Sequence, residues 1–251
     1  MIELKVENAV AQVTLARAPV NAINDAWIDR FGAVIDDVAR RAEISVFWVR
    51  SALPVFCAGA DLALMRDAFS SNPERMVDVA RRMQEVFGRL EAMDAVTIAE
   101  IGGAALGGGF ELALACDLRV VADSARVGLP EAQLGLLPGA GGTQRLTRIC
   151  GEALARRLIL GAEVVSGTES VPLGLAQWSA PRAVIAQLAE EQVKRLASIP
   201  RDALAACKRC IRAAGNPGVE GYALEISETR RLYGLPETQR RVKEFLERKP
   251  G

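Results

Sequence analysis

Apolar positions along the chain switch between a period of two and a period near 3.6. Residues 3–16 alternate apolar and polar with a break at Asn8 and Ala9, which predicts two short strands and a tight turn. Asn24 or Asp25 then offers a helix cap. Behind it Trp27, Ile28, Phe31, Val34, Ile35 and Val38 recur at helical spacing. Residues 46–49 are a short apolar run and read as a buried strand, followed by a loop at 56–61 and a longer helix over 73–90. Residues 96–101 read as another buried strand, then come a glycine-rich loop, a helix starting near Gly108 and a strand over 118–122. Strands alternating with helices predict parallel βαβ units, an α/β fold. From about Ala183 helix follows helix, broken near Pro200, Pro217 and Pro236. The expected division is an α/β core over residues 1–190 and a helical region over residues 191–251.

Composition narrows the chemistry. The chain has 251 residues, half of them hydrophobic, enough for a sizeable core. Its 31 basic and 31 acidic residues balance, which gives no general pull toward nucleic acid or an anionic membrane. Residues 201–251 carry 11 Lys/Arg against 7 Asp/Glu, which reads first as a solvated helical surface. The apolar runs are too short to span a bilayer, and the N-terminus lacks a signal-peptide pattern, so a cytoplasmic protein is expected. Five scattered cysteines form no disulfide framework, and Cys207 and Cys210 have no second pair to complete a zinc site. Histidine is absent. Acid–base work near neutral pH must therefore fall to carboxylates, cysteine, lysine, tyrosine or water.

Two glycine clusters stand out, Gly107-Gly108-Gly109 and Gly139-Ala140-Gly141-Gly142, with Glu111 after the first and Glu131 before the second. In a parallel sheet the loops after the strands gather at one edge, where ligands bind. A helix starting at Gly108 would offer unpaired N–H groups there, with Glu111 one turn on. The loop Ala58-Gly59-Ala60 would supply a second donor, and two such donors make an oxyanion hole. Each feature also has a plainer reading. The glycines can serve close packing, Glu111 can pair with an arginine, and Glu131 after Pro130 can simply favour a helix start. Two nucleotide readings fail: no P-loop pattern exists, and Gln144 breaks the Gly-x-Gly-x-x-Gly pattern that Gly139 begins.

At three segments the sequence resembles the crotonase family, the enoyl-CoA hydratase/isomerase superfamily. They are FCAGADL (residues 56–62), ALGGGFELALACDLR (105–119) and GLPEAQLGLLPGAGGTQRL (128–146), with weaker matches at APVNAIN and VKEFLERKP. The resemblance implies a spiral of ββα units with a C-terminal helical trimerisation region. The assembly it implies is a trimer or a hexamer built as a dimer of trimers. It implies an acyl-CoA substrate, with coenzyme A part of the substrate and no separate cofactor or metal. By motif position, Ala60 and Gly108 are the backbone donors to the thioester oxygen, and Glu111 and Glu131 the catalytic carboxylates. Ala58, Gly59, Asp61, Leu62, Gly107, Pro130 and Gly139 complete the expected substrate-binding set. Both carboxylates together imply an enoyl-CoA hydratase of acyl-CoA degradation. The alternatives are a Δ3-Δ2 enoyl-CoA isomerase, another acyl-CoA lyase of the family, or more remotely a non-catalytic RNA-binding member.

The sequence departs from the family pattern in places. Ala63 stands where a lysine for the CoA phosphates is frequent, with Arg66, Arg248 or Lys249 as candidate replacements. Phe110 replaces a common cysteine, and Gly102 a frequent asparagine. The stretch from Asp61 to Glu111 is a few residues longer than in short-chain hydratases of the family, so acyl chain length is not carried over.

Overall fold

The computed structural model of the protein describes residues 1–247. Strands β1 (Ile2–Glu7) and β2 (Val10–Leu15) form the expected hairpin, with Asn8 and Ala9 at φ 47° and 64° in its turn. Helix α1 (Asp25–Ala39) is capped by Asn24, whose side chain accepts from the Trp27 N–H at 3.0 Å. All six apolar positions read from the sequence are buried, and Trp27 stacks on Phe31 with centroids 4.7 Å apart. Strand β3 (Val46–Ser51), helices α2 (Leu62–Ser71) and α3 (Glu74–Ala92), and strand β4 (Val96–Ile101) follow. Next come β5 (Ala105–Leu106), α4 (Gly108–Leu114), β6 (Leu118–Ala122) and β7 (Arg126–Gly128). A short 3-10 helix (Pro130–Leu134) precedes α5 (Gly142–Leu160), which is interrupted at Gly151. Beyond it lie β8 (Val164–Ser166), α6 (Gly167–Ser170) and β9 (Trp178–Ala180). The C-terminal helices are α7 (Ile185–Ala197), α8 (Arg201–Ala213), α9 (Gly221–Tyr233) and α10 (Pro236–Glu247).

The main sheet has the order β1-β2-β3-β4-β6-β9, parallel except for the β1–β2 hairpin. A second sheet, β5-β7-β8, carries the site loops beside it. Helix α7 packs on β3, β4, β6 and β9, so the expected boundary at residue 190 falls inside a helix tied to the sheet. Helix α8 is fastened at the start of β4 and β6 by Lys208, whose Nζ reaches Asp117, just before β6, at 2.7 Å and the Ala95 carbonyl, just before β4, at 3.1 Å. No described helix is long and apolar enough to cross a membrane.

Two parts of the fold depart from the expected pattern. The longer helix of the sequence reading is preceded by α2, which buries only Leu64 and Ala68 and leaves Leu62 and Phe69 exposed. That is too faint a stripe to signal a helix. The second sheet is built of strands of two or three residues, too short for a period of two to show.

Asn21 links the β2–α1 connection to the loop before the site. It is fully buried at φ 53°, and its Oδ1 accepts from the Arg17 N–H at 2.8 Å. Its Nδ2 donates to Ser51 Oγ at 2.8 Å and to the Phe56 carbonyl at 2.9 Å. Alanine keeps none of these bonds and fits a left-handed backbone poorly. Asn21→Ala should lower stability by about 2–4 kcal/mol. In urea unfolding the midpoint should fall with the slope unchanged.

Candidate active site

The site is assembled by backbone stitching between two loops. The loop after β3 runs alongside the segment that enters α4. Phe56 N–H donates to the Ala104 carbonyl at 2.9 Å, and Leu106 N–H to the Cys57 carbonyl at 3.1 Å. Gly59 sits at φ +93°, and a Cβ there would lie 2.9 Å from the Leu106 carbonyl oxygen and 3.2 Å from Gly108 N. The two loops can therefore approach only because residue 59 is glycine. On the other side, Ile23 N–H donates to the Gly59 carbonyl and Asp61 N–H to the Ile23 carbonyl, at 2.8 and 2.9 Å, which fixes Ala60 between them. Ala60 N–H and Gly108 N–H have no acceptor among the described residues. Gly108 is moreover the first residue of α4, where N–H groups have no intrahelical partner and the helix dipole is positive. Two donors so placed suit an oxygen that gains negative charge.

Glu111 projects from the first turn of α4 and is 2% exposed. Its Oε1 accepts from Ala140 N–H at 2.8 Å and from Gly142 N–H at 2.7 Å. A Cβ on Gly142 would lie 2.8 Å from that same oxygen, so the second glycine cluster serves the carboxylate directly. The plainer reading of Glu111 as an arginine partner does not hold among the described residues, which give it no ion pair. Burial pushes its pKa up to about 7, opposed by the Gly142 and Ala140 N–H bonds and by Arg145, and reinforced by the negative charge of Glu131.

Glu131 sits in the first turn of the 3-10 helix behind Pro130, as expected for a helix start, and its carboxylate also faces the site. Its Oε1 would be 2.9 Å from a Cβ on Gly107, whose φ of +52° with ψ −128° admits only glycine. Its Oε2 is buried without a hydrogen-bond partner among the described residues. Burial raises the Glu131 pKa, offset in part by a backbone N–H. Two carboxyl groups with raised proton affinity thus share one glycine-lined site, suited to trading protons near neutral pH.

The other residues read from the motifs take more varied places. Ala58 is exposed, and its N–H donates to the Val20 carbonyl at 3.0 Å. Asp61 is occupied: Oδ1 caps α2 through Ala63 N–H at 2.8 Å, and Oδ2 takes Arg17 at 2.6 Å. Burial alone would raise its pKa, yet the Arg17 bond and the cap hold it below the usual value. Leu62 is 78% exposed at the start of α2. The Gly139 carbonyl accepts from Gln84 Nε2 of α3 at 2.6 Å. Phe110 is buried in the core beside Glu111. Arg66 is exposed, 3.5 Å from Asp67, while Arg248 and Lys249 lie outside the described residues. Among the described residues no group of three or more Cys, Asp or Glu is arranged to hold a metal ion. The sequence gives no role to Arg17, Gln84 or Arg145, because their partners lie on elements far away in the chain.

The family model for enoyl-CoA hydratase/isomerase matches residues 5–250. The chain belongs to the enoyl-CoA hydratase/isomerase family. It is 35% identical over 207 residues to a probable enoyl-CoA hydratase of Bacillus subtilis, a match spanning 79% of this chain and 80% of that protein. It is 40% identical over 156 residues to the mitochondrial methylglutaconyl-CoA hydratase of Mus musculus, covering 62% of this chain and about half, 49%, of that protein. Among solved structures, an enoyl-CoA hydratase from Geobacillus kaustophilus superposes with a TM-score of 0.93 at 30% identity, over 100% of this chain and 95% of the other. The expected crotonase fold is thereby the observed one.

In this hydratase/isomerase-family site the buried Glu111 has a thermodynamic signature. Near pH 4 the side chain is largely neutral in both the folded and the unfolded chain. As pH rises from about 4.5 to about 7, the unfolded carboxyl ionises while the folded one resists, so stability falls through that window. The loss is roughly 3 kcal/mol at most. Glu111→Gln keeps an acceptor for the two N–H groups and removes the charge. Its stability relative to the parent should grow across this window and level off above it, as read from urea midpoints at each pH.

Proposed function

We propose that the chain is an enoyl-CoA hydratase, adding water syn across the C2=C3 bond of a trans-2-enoyl-CoA to give a 3-hydroxyacyl-CoA. The observation that carries this reading is the pair Glu111 and Glu131, both of raised proton affinity, beside the free N–H groups of Ala60 and Gly108. The thioester oxygen accepts from Ala60 and Gly108, which stabilises the enolate charge that develops as C3 is attacked. Glu111, ionised in a substantial fraction at neutral pH, orients a water and takes one of its protons as the oxygen bonds to C3. Glu131, whose proton affinity burial raises, contacts the same water and in its protonated form delivers a proton to C2. A proton passed from Glu111 back to Glu131 restores the starting state, and the net change is addition of one water. The relatives support this reading, since their names include enoyl-CoA and methylglutaconyl-CoA hydratases.

The nearest alternative within the same site is Δ3-Δ2 isomerisation. There Glu131 alone would move a proton between C2 and C4 while the N–H pair holds the same enolate. The second carboxylate, bonded by two N–H groups at Glu111, favours hydration, because isomerisation has no water to activate.

We also infer self-association into a trimer or a dimer of trimers. Helices α9 and α10 bury no residue within the chain, and they leave Tyr222, Ile226, Tyr233, Phe245 and Leu246 exposed at 63–82%. An apolar surface of that kind on a charge-balanced chain calls for another protein surface.

Crotonyl-CoA absorbance should fall on adding the protein, and Glu111→Gln or Glu131→Gln should each slow that fall by about 10²-fold or more, in line with the loss of an acid–base group. Full activity in both variants would contradict the assignment, and conversion of a 3-enoyl-CoA to the 2-enoyl product alone would favour the isomerase. Sedimentation should give a mass of three or six chains, and a monomer at micromolar concentration would contradict the assembly.

A further inference from the structure

Glu111 depends on two N–H groups of a loop that is tied at one end by Gln84 Nε2 on the Gly139 carbonyl, at 2.6 Å, and at the other by the start of α5. Residues 139–142 contain three glycines, and Gly141 lies at φ +101°. Such a loop has several backbone conformations within reach, and the one adopted aims both N–H groups at a single oxygen. Arg145, one turn into α5, folds back over it. Its Nη1 donates to the Ala140 carbonyl at 2.8 Å, and its Nε to Glu91 Oε2 of α3 at 2.9 Å. The side chain is only 8% exposed, and a Cβ on Gly141 would collide with its guanidinium. The peptide unit whose nitrogen bonds Glu111 is thus flanked by the one whose carbonyl bonds Arg145, since both atoms belong to Ala140.

We propose that Arg145 is a positioning residue, clamping the Ala140 carbonyl against Glu91 so that the Ala140 and Gly142 N–H groups stay aimed at Glu111 Oε1. This rests on the reading of Glu111 as the base that activates water. The planar fork of arginine suits the task, because one rigid group must hold a carbonyl and a carboxylate at once. Lysine would keep the charge and lose the fixed angle. Glu111 faces Glu131 from the 3-10 helix and Arg145 from α5. Arg145 faces Glu91 of α3, which also receives Arg148 at 3.5 Å and, on its carbonyl, Arg212 of α8 at 3.2 Å. Arg145 also lines a cavity with Cys116 and Asp117, which follow α4, Arg119 of β6 and Arg209 of α8.

The clamp has a readout that packing alone would not move. Without Arg145, Glu111 loses a nearby cation and the alignment of its two donors. Both changes raise its proton affinity, since each favours the ionised form while present. Carbon-13 NMR of glutamate-labelled protein, with the Glu111 signal assigned by its absence in Glu111→Gln, follows this titration in the free protein without substrate. In Arg145→Ala the midpoint should move upward by about half a unit or more, and in Arg145→Lys by less. The acid limb of kcat/KM for crotonyl-CoA should move the same way, with kcat lower by up to about 10²-fold and KM little changed. Millimolar guanidinium, entering through the cavity, should recover part of the Arg145→Ala loss. If Arg145→Ala does not fold, Arg145→Lys carries the test. Folded variants that titrate and turn over like the parent would overturn the proposal. If the parent hydrates no enoyl-CoA, the proposed function fails while the NMR titration still decides the role of Arg145.

Discussion

One contact organises this protein: a carboxylate oxygen, Glu111 Oε1, receiving two backbone N–H groups from a loop thirty residues further along the chain. A buried carboxylate is costly unless it is hydrogen-bonded. These two bonds are what let Glu111 sit almost free of solvent and still ionise near neutral pH. They require the Ala140 and Gly142 backbone to touch the side chain, which excludes a Cβ at residue 142. They also require α4 to begin where it does, because a shift of one residue would turn Glu111 toward another face. The start of α4 is in turn fixed by Gly107, whose N–H bonds the Gly128 carbonyl at 3.0 Å and whose carbonyl accepts from Phe110 and Glu111. The small β5-β7-β8 sheet exists around this junction.

The same geometry sets a tension between stability and chemistry. Burial holds Glu111 and Glu131 above their ordinary proton affinities, which is unfavourable for folding at neutral pH and favourable for exchanging protons with a water. The core offsets this. The sheet is wrapped by α1, with its stacked Trp27 and Phe31, and by α7, while α8 is bolted on through Lys208. The site lies at the edge of this core, where loops rather than strands supply the donors. Gly59 and Gly107 give those loops the positive φ that a close backbone approach needs.

How much of this could be read in the residues depended on the range of the interaction. Helix α1 was legible because six apolar side chains repeat on one face and Asn24 announces the cap. Strands β3 and β4 were legible as apolar runs. Glu111 and Glu131 were legible because glycines crowd them, and the family resemblance then paired Ala60 with Gly108. Helix α2 was not legible, since only two of its side chains are buried. Nor were the strands of the second sheet, which are held by partners rather than by their own pattern. Asn21 and Arg145 stayed silent for a different reason. Each acts by bridging segments 30 residues or more apart in sequence, Asn21 to Ser51 and Arg145 to Glu91, and a single chain read from end to end carries no signal of such a pairing.

In the proposed reaction both carboxylates act on one water held on one face of the substrate. Running the reaction on a trans-2-enoyl-CoA in heavy water tests it most directly. The expected product is a 3-hydroxyacyl-CoA that carries a single deuterium at C2, on the same face as the new hydroxyl. Deuterium at C4 without a hydroxyl, or deuterium at C2 on the opposite face, would contradict it.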